Sequence, residues 1–406
     1  MEITGIVAEY NPFHNGHLYQ IQETKNSLSS DAIIAVMSGN FSQRGEATIT
    51  HKYNRTQMAL SNGVDLVLEL PVVAATASAE HFAYGSIRLL WQTGIVTSLS
   101  FGSECGKLTQ LMPIADALIV EKETINVSIQ HYLKKGLSYP KAREQSLIDF
   151  FSLPTSASLS GSIDVLKSPN NILGIEYLKA LRQFNAAIKP YTIKREGAHY
   201  HAPNISGSIA SASAIRQTLY NGSETFKEAM PASSAEFLTS HKLPSMEKLG
   251  AFLHFKLMFS SLDELYTLWD IPKDLLHTLI KSIKDYPSYE KLVERATSKT
   301  YTRSTVQRSL LRILLEVQKD DFISREAFIP YIRVLGCKQK ATYLLKALSQ
   351  NAKVPVITNL NKQYASLNDV QKKWIDYEIK ASKLYAYASG DASLATLDFT
   401  HPFILI

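Results

Sequence analysis

Ile3-Thr4-Gly5-Ile6-Val7-Ala8, followed at once by Glu9-Tyr10-Asn11-Pro12-Phe13-His14-Asn15-Gly16-His17, is the stretch that decides the fold. A short run without charge suits a strand buried on both faces, and the Asn-Pro and Asn-Gly pairs mark the turn that ends it. From His17 to Leu28 the composition is helical. Working outward, the same unit returns. Ala32 to Met37, Val64 to Leu70 and Val96 to Phe101 read as further strands, with helices over Tyr53–Ser61 and Glu80–Trp91 between them. Apolar strands alternating with helices predict an α/β fold, a Rossmann-like, doubly wound parallel sheet. Such sheets bind ligands outside the carboxyl ends of their strands, which directs attention to the loops at 9–17, 38–52, 71–79 and 101–106.

Gly106 to Phe151 looks helical, Leu153 to Leu166 is a Ser/Thr/Gly-rich loop, and Asn170 to Phe184 is helical again. Ala187 to Ile193 reads as one more strand and Ser211 to Tyr220 as a short helix, so the α/β domain is expected to span residues 1–220. Residues 221–406 read mostly as amphipathic helix, clearest over Val306–Val317 and Lys340–Leu348, and predict a mainly α-helical C-terminal domain.

Composition narrows the class. The chain has 406 residues, 45% of them hydrophobic and 20% charged, with a net charge of +6, a balance that excludes a disordered or disulfide-stapled protein. Nothing approaches the roughly 20 uncharged apolar residues of a membrane span, because Asp65, Glu69 and Pro71 interrupt the most apolar run. The start, Met1-Glu2-Ile3-Thr4, has no export signature, and Cys105 and Cys337 fit neither a zinc site nor a disulfide framework. A cytoplasmic protein without a metal site is expected. The basic lean permits a polyanionic partner without requiring one.

His14-Asn15-Gly16-His17 after the first strand suits nucleotide phosphates. A helix N-terminus offers unpaired N–H groups and partial positive charge, and glycine lets a phosphate come close. Two histidines three residues apart can face one point and donate to an α-phosphate as pyrophosphate leaves. The simpler alternative has His14 capping the helix and His17 half-buried in the turn.

The His-x-Gly-His pattern in this place resembles the nucleotidyltransferase superfamily. Ile209-Ala210-Ser211-Ala212-Ser213-Ala214-Ile215-Arg216 resembles that superfamily's Ile-Ser-Ser-Thr-x-x-Arg element, with Ala210 and Ala212 departing from it. More of the chain is similar to the bacterial tRNA(Met) cytidine acetate ligase family. The similar segments are Glu9 to His17, Met37 to Glu46, Gly63 to Pro71, Phe101 to Glu104, Ser168 to Gly174, Lys194 to Ala198, Tyr301 to Arg303, and Gln307 with Arg308. The resemblance implies an enzyme that activates acetate with ATP as acetyl-adenylate. It then acetylates N4 of the wobble cytidine of elongator tRNA(Met). His14 and His17 are the implied catalytic pair. Implied ATP contacts are Val7, Ala8, Glu9, Tyr10, Asn11, Pro12, Phe13, His14, Asn15, Gly16, His17, Leu18, Tyr19 and Gln20, with Gly102, Asn170, Arg195, Ser211 and Arg216. Mg²⁺ would ride on the triphosphate, since no dedicated carboxylate cluster is visible.

Other candidates keep two readings each. Asn40 and Arg44, after the second strand, suit an acetate pocket or a solvated turn. Lys52 and Arg55 suit phosphates or a solvated helix face. Lys299, Tyr301, Arg303, Arg308 and Arg312 mix cations with an aromatic that could stack on a base, and suit tRNA; Lys134, Lys135 and Lys141 form a second basic patch. His199 and His201 lack partners for a metal and suit RNA better. Trp91, Trp269 and Trp374 are expected in cores. Two rival functions share the histidines: an adenylyltransferase of cofactor biosynthesis acting on a phosphorylated small molecule, and a non-catalytic RNA-binding protein.

Overall fold

A computed structural model describes residues 1–153, 163–195, 210–238, 242–322 and 328–406. Five parallel strands form the centre: β1 (Ile3–Ala8), β2 (Ala32–Ser38), β3 (Leu66–Leu70), β4 (Ser98–Ser103) and β5 (Lys189–Lys194). Helices α1 (Asn15–Leu28), α2 (Lys52–Ser61), α3 (Val72–Ala75) and α4 (Ala79–Gln92) connect the first four strands. Helices α5 (Leu108–Val120), α6 (Lys122–Lys134), α7 (Tyr139–Phe151) and α8 (Pro169–Gln183) lie between β4 and β5, and α9 (Ala212–Tyr220) follows.

All seven residues of β2 are buried. Ala32, Ile34 and Val36 face one core, while Ile33, Ala35 and Met37 face another. That period of two, apolar on both sides, follows from helices covering both faces, and each buried Ile or Val contributes about 1.5–3 kcal/mol. The expected parallel α/β sheet is therefore present, with α1 beginning two residues earlier than the composition suggested and β4 running two residues further.

The division at residue 220 needs correction. Beyond it come α10 (Ala232–Ala235), α11 (Gly250–Phe259), α12 (Leu262–Tyr266), α13 (Lys273–Ile283), α14 (Tyr289–Ala296) and α15 (Arg303–Leu315). Leu253, Leu275, Leu292, Leu310 and their neighbours in these helices share a core of their own. The chain then returns to the first sheet. β6 (Ile332–Cys337) pairs antiparallel with β3, and the sheet runs β5-β4-β1-β2-β3-β6-β7 with β8 also against β6. β7 is Val356–Ile357 and β8 is Ile404–Leu405; α16 (Tyr343–Asn351), α17 (Leu360–Gln363), α18 (Asp369–Ser389) and α19 (Leu397–Thr400) fill the remainder. Leu335 and Ile404 sit in the same core as Ile6 and Ile33. A cut at 220 therefore divides one core rather than separating two.

Charge explains why β6 is hard to read. Arg333 lies inside it, buried, with Nη1 at 3.0 Å from Glu69 and 2.8 Å from Asp398. Lys52 Nζ contacts the same two carboxylates, each at 2.6 Å. Two cations and two carboxylates from α2, β3, β6 and α19 balance one another, and removing one would leave an uncompensated buried charge. Burial alone would raise the Asp398 carboxyl, but Lys52 and Arg333 outweigh it and hold it well below the usual range. Lys52 thus belongs to the interior, neither at a phosphate nor on a solvated face.

Candidate functional site

The loop from β1 to α1 covers the carboxyl end of the sheet, with Val7 and Ala8 finishing the strand and Leu18, Tyr19 and Gln20 half-buried in the helix. Tyr10 has φ 46°, a left-handed conformation that costs a bulky residue about 1–2 kcal/mol. Phe13 and His17 pack on its ring with centroids 4.9 Å away in each case. The Asn11–Pro12 peptide is cis. Asn11 is held twice: its Oδ1 accepts from the Ile49 N–H at 2.7 Å, and its carbonyl accepts from Arg216 Nη1 at 2.8 Å.

His14 is the N-cap of α1. Its Nδ1 accepts from the Gly16 N–H at 3.1 Å, and His17 Nδ1 accepts from the His14 N–H at 3.2 Å, a capping box built from two imidazoles. The rings stack with centroids 3.8 Å apart. Because each Nδ1 is an acceptor, this network assigns the single proton of each neutral ring to Nε2, facing away from the turn. Burial, then Arg195 and Arg216, push His14 down to about 3. Burial, His14 and Arg195 hold His17 well below its ordinary value. Near pH 7 both are uncharged hydrogen-bond donors. His14 thus caps the helix and His17 is half-buried in the turn, as the simpler reading had it, while each ring keeps an N–H to donate.

Arg195 follows β5, its backbone N–H donating to the Ser103 carbonyl at 3.0 Å. An ideal Cβ at Gly102 would lie 3.2 Å from Arg195 Cγ, so glycine there lets the arginine cross the end of β4. Ser211 caps α9, its Oγ accepting from the Ala214 N–H at 3.2 Å, and Arg216 in that helix reaches the histidine loop. Ala210, which departs from the superfamily pattern, is buried. Asn170 lies in the first turn of α8 beside Glu104. The structure therefore gathers the histidine loop, Gly102, Arg195 and Arg216 at one edge of the sheet.

Arg55 differs from both sequence readings. It is fully buried, and its guanidinium donates from Nε to the Thr50 carbonyl at 3.2 Å and from Nη1 to the Glu9 carbonyl at 2.5 Å. Nη2 donates to the Gly39 carbonyl. Burial lowers its pKa to about 10, which leaves it charged at neutral pH. Arg55 thus ties the loop after β1 to the loop after β2, reinforced by Gln43 N–H donating to Glu9 Oε1 at 2.7 Å. Asn40, a candidate for acetate, spends both ends of its amide on the frame: Oδ1 accepts from Lys52 N–H at 2.9 Å and Nδ2 donates to Ser382 at 3.2 Å. Arg44 is half-buried in the same loop.

The basic stretch expected to meet tRNA is only partly on the surface. Lys299 is exposed and Tyr301 is half-buried against the helical core. Arg303 is exposed but pairs with Glu290 through two contacts of 2.6 Å. Arg308 is half-buried, and its backbone N lies 2.7 Å from where a Cβ on Gly45 would be, so α15 packs on the loop after β2. Arg312 must be withdrawn from any surface. It is 1% exposed, paired with Asp270 at 2.7 Å and set 4.3 Å over the Trp269 ring. Trp374 is buried as expected, with Trp91 and Trp269 packed beside the core. Glu196 to Ala198, His199, His201, Ile209 and part of the 153–166 loop lie outside the described residues. Among the described residues no helix is long and apolar enough to cross a membrane.

A strand-end His-x-Gly-His loop, facing an arginine-bearing helix at the carboxyl edge of a parallel sheet, defines a nucleotidyltransferase-type site. The family model of the HIGH nucleotidyl transferases matches residues 1–396. Proteins named tRNA(Met) cytidine acetate ligase are similar along their whole length: 38% identical in Thermoanaerobacter sp. (strain X514) and 39% in Acetivibrio thermocellus, with 100% of both chains covered. The crystal structure of Thermotoga maritima TmcAL superposes with a TM-score of 0.91 at 32% identity, and its form bound to alpha-thio ATP with 0.89, each over 100% of both chains. The chain belongs to the HIGH nucleotidyl transferase family and, within it, to the tRNA(Met) cytidine acetate ligases.

Proposed function

We propose that this protein uses ATP to activate acetate and then acetylates N4 of the wobble cytidine in elongator tRNA(Met). The neutral, stacked pair His14 and His17 at the N-terminus of α1 carries the reading, supported by full-length similarity to relatives named for that reaction. In the first step an acetate oxygen forms a bond to the α-phosphorus while the bond to the β-phosphate oxygen breaks. The adenylyl group passes to acetate, giving acetyl-adenylate, and pyrophosphate leaves with the electron pair. Acetate is already ionised and needs no base. The chain supplies position and charge: the Nε2–H groups of His14 and His17 donate to the α-phosphate oxygens, and Arg195 and Arg216 offset the charge of the leaving group. Charged imidazoles would have to be maintained against burial and two arginines, so neutral donors are the form this site favours.

In the second step the cytidine amine attacks the acetyl carbonyl, AMP leaves and the amine gives up a proton. Magnesium would arrive on the triphosphate. The remaining ATP contacts are the 7–20 segment, Gly102, Asn170 and Ser211. Lys299, Tyr301, Arg303 and Arg308 stand as tRNA contacts, within the contribution of residues 221–406; the packing of Arg308 on Gly45, in the loop proposed to hold acetate near Arg44, supports that reading for Arg308. A tRNA substrate fits a cytoplasmic setting.

Incubation with ATP, acetate and elongator tRNA(Met), followed by mass spectrometry of the nucleosides, tests the proposal. N4-acetylcytidine is expected only when all three are present. A tRNA left unmodified would contradict it.

A further inference from the structure

Glu104 follows β4, and its carboxylate closes the first turn of α8. Oε1 accepts from the Asn170 backbone N–H at 3.2 Å and from Asn170 Nδ2 at 2.7 Å, while Oε2 accepts from the Asn171 N–H at 2.8 Å. Asn171 is fixed too, its Oδ1 accepting from the Cys105 N–H at 3.1 Å. A carboxylate has only acceptors to offer, so it compels the amide of Asn170 to turn its NH₂ inward. Oδ1 of Asn170 is thereby aimed the other way, as an acceptor of fixed polarity.

We infer that Glu104 is a specificity-positioning residue: by locking Asn170 it presents an acceptor to the exocyclic amine of adenine, selecting ATP over nucleotides with a carbonyl there. The inference rests on the proposal that Asn170 contacts ATP. One observation and one chemical argument favour the base, rather than phosphate or ribose, at this corner. Glu104 already satisfies and neutralises the N-terminus of α8, which removes its attraction for phosphate. A ribose hydroxyl can donate or accept and would gain nothing from a locked amide, whereas the amine can only donate.

Glu104→Gln tests this with little change of shape. With its oxygen kept on the Asn171 N–H, its NH₂ faces Asn170, gives up the bond from the Asn170 backbone N–H and favours the flipped amide, which presents a donor outward. Calorimetric titration of the full chain with ATP and with inosine triphosphate reads the outcome without acetate or tRNA. The wild type is expected to prefer ATP by about tenfold, roughly one hydrogen bond. Glu104→Gln should lose or reverse that preference. Asn170→Ala, which leaves Glu104 free to cap α8, should bring the ratio close to one. Equal weakening of both nucleotides in Glu104→Gln, or a ratio unchanged in both variants, would overturn the inference. Absence of any ATP binding by the wild type would instead remove the nucleotide-site proposal, and this inference with it.

Discussion

Two of the helix N-termini at the carboxyl edge of the sheet, those of α1 and α8, are finished in opposite ways. α1 is capped by two neutral imidazoles and carries no acidic residue in its first turn. α8 is capped by the carboxylate of Glu104 from the loop after β4. Both begin with the same unpaired N–H groups and the same partial positive charge. At α1 that charge is left for a ligand, and the cap itself adds two more donors. At α8 it is spent within the protein, and what remains is an acceptor. On the proposed reading the difference would divide a nucleotide between its anionic and neutral ends, using caps rather than different backbones.

The largest test breaks the α1 side. His14→Ala or His17→Ala should lower acetate-dependent activation of ATP by about 10²–10³, the scale for losing one donor to a developing charge. ATP affinity measured by calorimetry should fall much less, and equal losses in binding and turnover would deny the donors a transition-state role. The tenfold preference assigned to Glu104 and Asn170 is the next effect, and it sharpens the α8 side.

The smallest effect near neutrality lies in pH. His14 titrates near 3 when folded against about 6.5 unfolded, so the unfolded chain takes up the proton first. Its stabilising contribution is complete above 6.5 and declines as pH falls toward 3, by about 1.4 kcal/mol per unit. Denaturant unfolding at pH 7.5 and 5.5 should show a steeper loss for the wild type than for His14→Ala. Parallel losses would mean that the ring is not held neutral.

The sequence made the α1 side legible because every part of it is local: strand, turn, glycine and both histidines lie within fifteen residues of one another. The five parallel strands were legible from apolar residues that lie next to one another in the chain, although Glu69 interrupts β3 and β5 begins and ends on a lysine. β6 was not, because Arg333 interrupts its run and is explained only by Glu69 and Asp398, far away in the chain. Lys52 and Arg55 looked like surface or phosphate cations until their partners on other elements were seen. Arg312 was expected with Arg308 to meet tRNA, yet Asp270 and Trp269 draw it inside. Glu104 stood in a segment that resembled the family, but nothing in its neighbours reveals that it caps a helix 66 positions on.

Acetate-dependent exchange of labelled pyrophosphate into ATP by the wild-type protein, without tRNA, addresses the central claim most directly. Exchange that appears with acetate and vanishes without it would establish formation of the acyl-adenylate by this chain alone. Exchange indifferent to acetate, or none under either condition, would contradict activation of acetate at the histidine loop.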